Sequence, residues 1–176
     1  MNRYARWAFA LALLPVAACS SSPPPVTAAP VPVPPPLASV DQTFVNAAAS
    51  SDATEIQTSQ LAATKARSAR IKTFAAKMVT DHTATTQQLT TLVQGKGATV
   101  SPAADQDLQT KLTADKPRAF DRDYINAQIA GHKAAVKLFQ DEIANGQDTD
   151  VKSFAQTTLP TIQQHLKLAQ QIAGHS

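Results

Sequence analysis

Three of the chain's four histidines, His82, His132 and His165, fall in segments where larger apolar residues recur every three or four positions, and Glu55 takes the same place in a fourth segment. Such spacing sets a side chain on the buried stripe of an amphipathic helix. The stripes run Phe44, Ala48, Ser51, Glu55, Thr58, Ala62; then Ile71, Phe74, Met78, His82, Thr85, Leu89, Leu92; then Ile125, Ile129, His132, Val136, Phe139, Ile143; then Val151, Phe154, Thr158, Ile162, His165, Leu168, Ile172. At ~1.5 Å per residue, Glu55 and His82 lie about 18 and 20 Å from the turn that joins the first two helices. His132 and His165 lie about 21 and 27 Å from the second turn, so all four reach the middle of a bundle. One carboxylate and three imidazoles there form a ligand set for a divalent transition metal: zinc, copper, iron or manganese. The same residues also suit a purely structural role, as neutral histidines bonded to Asp81, Thr or Tyr124 that fix the register of the helices.

Other chemistry is poorly supplied. A carboxylate-bridged di-iron site needs Glu or Asp three residues before a histidine on two helices. Here Val79 precedes His82 and Ile162 precedes His165 at that spacing. Adjacent Asp81 and His82 diverge by about 100° on a helix, which prevents a direct dyad between them. No serine sits in a nucleophile elbow, and the five glycines form no phosphate-binding motif. Met78 is expected to fill core, and Glu142 to face solvent. Lys65, Arg67, Arg70, Lys72 and Lys77 are expected to form a solvated basic face, with contact to anionic envelope polymers as the remoter alternative. No catalytic residue is assigned, and a non-enzymatic module is the expectation, with a peroxide- or metal-handling oxidoreductase as the remoter alternative.

Four long helices position these residues, over 41–65, 69–95, 117–145 and 149–173, with a short one near 103–114. Ser68 and Asp148 are apt N-caps. Pro160, inside the last helix, removes one backbone hydrogen bond and is expected to kink it. Phe44-Val45-Asn46-Ala47 returns as Tyr124-Ile125-Asn126-Ala127, and Ile71-Lys72-Thr73-Phe74-Ala75 as Val151-Lys152-Ser153-Phe154-Ala155, both at a spacing of eighty. A shared ungapped offset indicates a duplicated helical hairpin, and two hairpins bury their stripes by pairing into a four-helix bundle. The connection over 96–116 is long enough either to cross the bundle lengthwise or to fold as a compact loop.

The blocks FVNAAASSDATEIQTSQLA, IKTFAAKMVTDHT and VKSFAQTTLPTIQQHLKLA resemble the bacterial "domain of unknown function 4142" family over about residues 40–173. That resemblance implies an all-α, ferritin-like four-helix bundle and an exported protein. It implies no particular activity.

The N-terminal forty residues carry an address. Arg3 and Arg6 precede a short apolar run, and Val16-Ala17-Ala18-Cys19 resembles the lipobox of bacterial lipoproteins. The expected order is a signal peptide over 1–18, a lipidated Cys19 with a Pro-rich linker to 38, and the bundle over 39–176. Acyl chains on Cys19 would anchor the chain to a membrane, and by resemblance to enteric lipoproteins Ser20 implies the outer membrane of the cell envelope, on the periplasmic side. Eight of the 12 prolines fall within 20–36, a composition that favours an extended spacer. Removing Arg3 and Arg6 lowers the 16 basic residues to 14 against 13 acidic ones, too balanced for a nucleic-acid binder. Cys19 is the single cysteine, which excludes a disulfide framework or a multi-cysteine metal site. Beyond the leader five Phe and one Tyr remain, so the core is expected to lean on Ala, Leu, Ile and Val. A homodimer or a bound ion would supplement such a core.

Overall fold

The computed structural model describes residues 36–174, and the expected leader, Cys19 and most of the linker lie outside them. Five helices follow in order: α1 (Ser39–Lys65), α2 (Ala69–Gln94), α3 (Gln106–Ala114), α4 (Pro117–Asn145) and α5 (Thr149–Ala173). The long helices match their sequence-based bounds to within two residues. Side chains at the starts explain why. Ser68 Oγ accepts from Ile71 N, Asp105 accepts from Leu108 N, and Asp148 accepts from Asp150 N and Val151 N. Pro117 opens α4, where its missing N–H costs nothing. Pro160 lies on the exposed face of α5 and does not end it.

α1 packs on α2 and α4 on α5, and the hairpins meet through α1 against α4 and α2 against α5. The core has two apolar parts. One gathers Phe44, Val45, Leu89, Val93, Phe139, Val151 and Phe154; the other gathers Ala62, Ile71, Phe74, Met78, Phe120, Tyr124 and Ala169. Each long helix visits both parts. α1 and α5 pass from the first to the second, and α2 and α4 run the other way, so each helix is antiparallel to both of its packing neighbours.

Because α2 ends where α4 does not begin, the connection must travel the length of the bundle. It does so along α1: Gln42 Nε2 donates to Thr99 O, Ala103 N to Ser50 Oγ, Asp105 N to Thr54 Oγ, and Lys65 Nζ to the carbonyls of Leu112 and Thr113. Leu108 and Leu112 of α3 pack into the second apolar part. The topology is therefore a ferritin-like crossover. Lys65 departs from the expected solvated face. Its ammonium secures the end of α3 and lies 5.2 Å from the Phe120 ring centroid.

The core does lean on Ala, Leu, Ile and Val, which make up 16 of its 23 buried apolar residues, and all six aromatic residues of the bundle are buried among them. Phe44, Phe139 and Phe154 meet at 4.9–6.4 Å at one end, and Phe120 and Phe74 lie 6.0 and 6.5 Å from Tyr124 at the other. These rings supply much of the buried area that alanine cannot.

The duplication extends to the caps that join the hairpins. Asp121, in α4, accepts from the backbone N–H groups of Arg67 and Ser68 in the α1–α2 turn. Eighty residues earlier, Asp41 of α1 accepts from those of Gln147 and Asp148 in the α4–α5 turn. Each hairpin thus caps the turn of the other, at opposite ends. Asp121→Ala should cost roughly 1–3 kcal/mol, since charge-assisted bonds to two N–H groups are lost. Combined with Asp41→Ala the losses should add to within about 0.5 kcal/mol, because the sites share no neighbours. Urea midpoints of the two single variants and the double variant measure both quantities.

Candidate metal centre

Between the two apolar parts lies a polar layer, to which each long helix contributes. α1 supplies Asp52 and Glu55, α2 Asp81 and His82, α4 Gln128 and His132, and α5 His165. The three imidazoles come together as a near-equilateral triangle, with ring centroids 5.6, 5.4 and 5.4 Å apart. His132 and His165 are 1% exposed and His82 6%. One ring nitrogen from each lies within 4.8 Å of the others.

One nitrogen of every ring is tied back to the protein. His82 Nδ1 is 2.8 Å from Asp52 Oδ1, whose second oxygen accepts from Thr86 Oγ1 at 2.9 Å. His165 Nε2 is 2.8 Å from Asp81 Oδ2, which also takes Lys77 Nζ at 2.7 Å. His132 Nδ1 is 2.8 Å from the Gln128 carbonyl oxygen. A carboxylate or a carbonyl can only accept, so each of these nitrogens must carry the hydrogen. The lone pairs then belong to His82 Nε2, His132 Nε2 and His165 Nδ1. All three are buried without a hydrogen-bond partner. Tying one imidazole nitrogen to an acceptor while the other is left free is how proteins orient a histidine ligand.

Glu55 stands beside this triangle, outside it. Gln128 Nε2 donates to its Oε2, and its Oε1 lies 3.7 Å from His132 Nδ1. Of the four proposed ligands, then, the fold gathers three and sets the fourth against the protonated side of one ring. Asp81 binds His165 on another helix, so the divergence of Asp81 from His82 lets the two neighbours serve different histidines. Tyr124 bonds Ser59 at 2.9 Å, not a histidine. Asp52 and Gln128 were not singled out by the stripes, which passed through their neighbours Ser51 and Ile129. One sequence signal was available: Asp52 precedes His132 by the same eighty residues that separate Asp41 from Asp121.

Electrostatics separate the three rings. Burial pushes His132 down to about 3, and the charges of His82 and His165 add to the effect despite the Gln128 carbonyl. Burial likewise pushes His165 down to about 4, against the opposing bond to Asp81. Burial also opposes the charged form of His82, but the bond and charge of Asp52, with Glu55 and Asp81, hold it above its ordinary value. Glu55 is raised by burial to about 7. His132 and His165 should therefore remain neutral at pH 5.5 while His82 titrates above 6.5, an order that ring ¹⁵N shifts would read directly.

Glu142, expected in solvent, is buried at 2% exposure. It follows Ala135 and Phe139 on the inner arc of α4, and Gly146 leaves it room, since a Cβ there would fall 2.2 Å from Glu142 Oε1. Burial and the nearby Asp41 raise it to about 7. A raised carboxyl contributes stability below its unfolded value of 4.5 and loses that contribution as pH climbs through about 7. Glu142→Gln should therefore leave the melting temperature unchanged near pH 4 and raise it at pH 8, by roughly 1–2 kcal/mol of stability.

Fold and site together define a class: a crossover four-helix bundle with a histidine triangle at mid-height. The chain belongs to the family of the Domain of unknown function (DUF4142), whose model matches residues 26–172. No curated protein matches it. Among solved structures it is similar to CopM in the Cu(I)-bound form, at 21% identity over 74% of this chain and 93% of that one, with a TM-score of 0.64. A DUF305 fragment from Deinococcus radiodurans matches at 13% identity over 81% of this chain and all of that one, with a TM-score of 0.72. A dodecameric thioferritin, the bacterioferritin-related protein from Bacteroides fragilis, matches at 17% over 77% and 84%, with a TM-score of 0.60. These likenesses show a shared fold.

Proposed function

We propose that the bundle is a copper-binding module in which His82, His132 and His165 hold one Cu(I) ion. The observation that carries this reading is the close set of three buried histidines, each with one ring nitrogen unpartnered and the other held by a protein acceptor. Such nitrogens are costly to leave bare, at about 1–3 kcal/mol each, and a metal ion satisfies all three at once. Imidazole suits zinc, copper and iron alike, so ligand type alone does not choose. Zinc takes four ligands, and the fourth candidate, Glu55, already bonds Gln128. A trigonal set of neutral nitrogens suits Cu(I). Copper is further supported by the likeness to CopM, a protein solved with Cu(I), Cu(II) and silver bound.

The same reading makes the protein a carrier or store, not an enzyme. Its place is the periplasmic side of the cell envelope, anchored through lipid on Cys19, with the outer membrane preferred. Among the described residues no helix is long and apolar enough to cross a membrane. The sequence features of the leader and linker support the anchor.

The purified chain, stripped of metal, should take up one equivalent of Cu(I) from a chelator buffer. The His132→Leu, His165→Leu double variant should lose that binding and stay folded, with equal or greater thermal stability, because two bare nitrogens are replaced by apolar groups. A chain that retains no Cu(I), or a double variant that binds as the wild type does, would overturn the assignment. A preference for Zn(II) over Cu(I) would overturn copper as the ion and leave the three-histidine site standing.

A further inference from the structure

An ion bound at the triangle must reach it through the bundle. Along the axis the way is closed at one end by Phe44, Phe139 and Phe154 and at the other by Phe74, Phe120 and Tyr124. On the α2–α5 side, the Lys77 ammonium sits on Asp81, and a positive charge opposes a cation's approach to His165. Between α1 and α4 the situation differs. A groove of about 600 Å³ runs there beneath the crossover, walled by small side chains such as Ser50, Ala127, Ala130 and Ala134.

Two buried polar residues also line that groove, Glu55 and Gln128. Glu55 Oε1 lies 3.7 Å from His132 Nδ1, which places the carboxylate between the groove and the imidazoles. Gln128 is 1% exposed, and its Oε1 has no hydrogen-bond partner. Gly131 completes the wall. A Cβ at that position would meet Glu55 Oε1 at 2.8 Å, closer than real side chains approach, so the absence of a side chain keeps the carboxylate in place and the groove open behind it.

We infer that the α1–α4 groove is the entry route for the ion, with Glu55 as the carboxylate that first captures it and Gly131 as the opening that lets it pass. This rests on the copper reading of the histidine triangle. Carboxylate and carboxamide oxygens hold a soft ion weakly, whereas imidazole nitrogens hold it well, so an ion caught at Glu55 and Gln128 moves on to the rings. A negative group at the mouth of a low-dielectric passage also concentrates cations there.

The test separates route from ligand. Loading is followed as the apo chain withdraws Cu(I) from its bicinchoninate complex, release as the loaded chain gives it up to excess bathocuproine, and Kd by competition. Gly131→Val and the exposed groove variant Ala134→Trp should slow loading and release together, about tenfold, with Kd unchanged, since closing a passage alters both directions equally. Glu55→Gln should slow loading about tenfold through loss of the capturing charge. Variants that load and release at wild-type rates overturn the route and leave the metal site standing. A Glu55→Gln variant that loads normally but releases faster identifies a ligand, and overturns the capture role. A wild-type chain that takes up no Cu(I) overturns the copper reading itself, a result distinct from either.

Discussion

Three imidazole nitrogens held inside an apolar bundle with nothing to bond are the constraint from which the rest of the architecture follows. Each bare nitrogen is a desolvated polar atom, and a fold that keeps three in one place must fix every helix that carries them. A one-residue slip of any helix turns its histidine by about 100° and takes it out of the layer. The side chains behind the rings meet this demand. Asp52, Asp81 and the Gln128 carbonyl each hold one ring nitrogen, so ring orientation and helix register are set by the same bonds.

The duplicated hairpin provides a frame rigid enough to sustain that layer. Asp41 and Asp121 occupy equivalent positions and cap the turn of the opposite hairpin, which locks the two halves together at both ends. Aromatic clusters close the core above and below the layer. The polar residues sit where the two apolar parts meet, so little apolar contact is interrupted. The crossover then follows α1 and is fastened to it at four places, from Gln42 to Lys65.

Di-iron bundles carry Glu or Asp three residues before a histidine on two helices, a place that Val79 and Ile162 take here. The acidic groups stand behind the rings, Asp52 on His82 and Asp81 on His165. There they fix the tautomer and orientation of the imidazoles. The distribution of charge is uneven. His82 has a carboxylate behind it and is held above its ordinary value, whereas His132 has only a carbonyl and stays neutral. The rings are therefore electrostatically inequivalent.

Much of this was legible in the sequence because it depends on period alone. Apolar residues at three- and four-residue spacing gave the helices, their inner faces and the inward direction of His82, His132 and His165, and the repeat at eighty gave the pairing of hairpins. What period cannot show is which polar groups meet across helices. Asp52, Gln128 and Glu142 each sit one position off an assigned stripe, and on a helix buried by several neighbours the inner arc is wider than a single line of residues. The direction of the crossover was open for a related reason: twenty residues can span the bundle or fold at its end, and only the contacts of 98–113 with α1 decide. Composition and spacing thus determined that four helices would bring three imidazoles inward. Tertiary structure alone decided that those rings would form a triangle, that carboxylates would stand behind them, and that Glu55 would face a groove instead of joining them, because these facts are set by distances between helices that no single helix encodes.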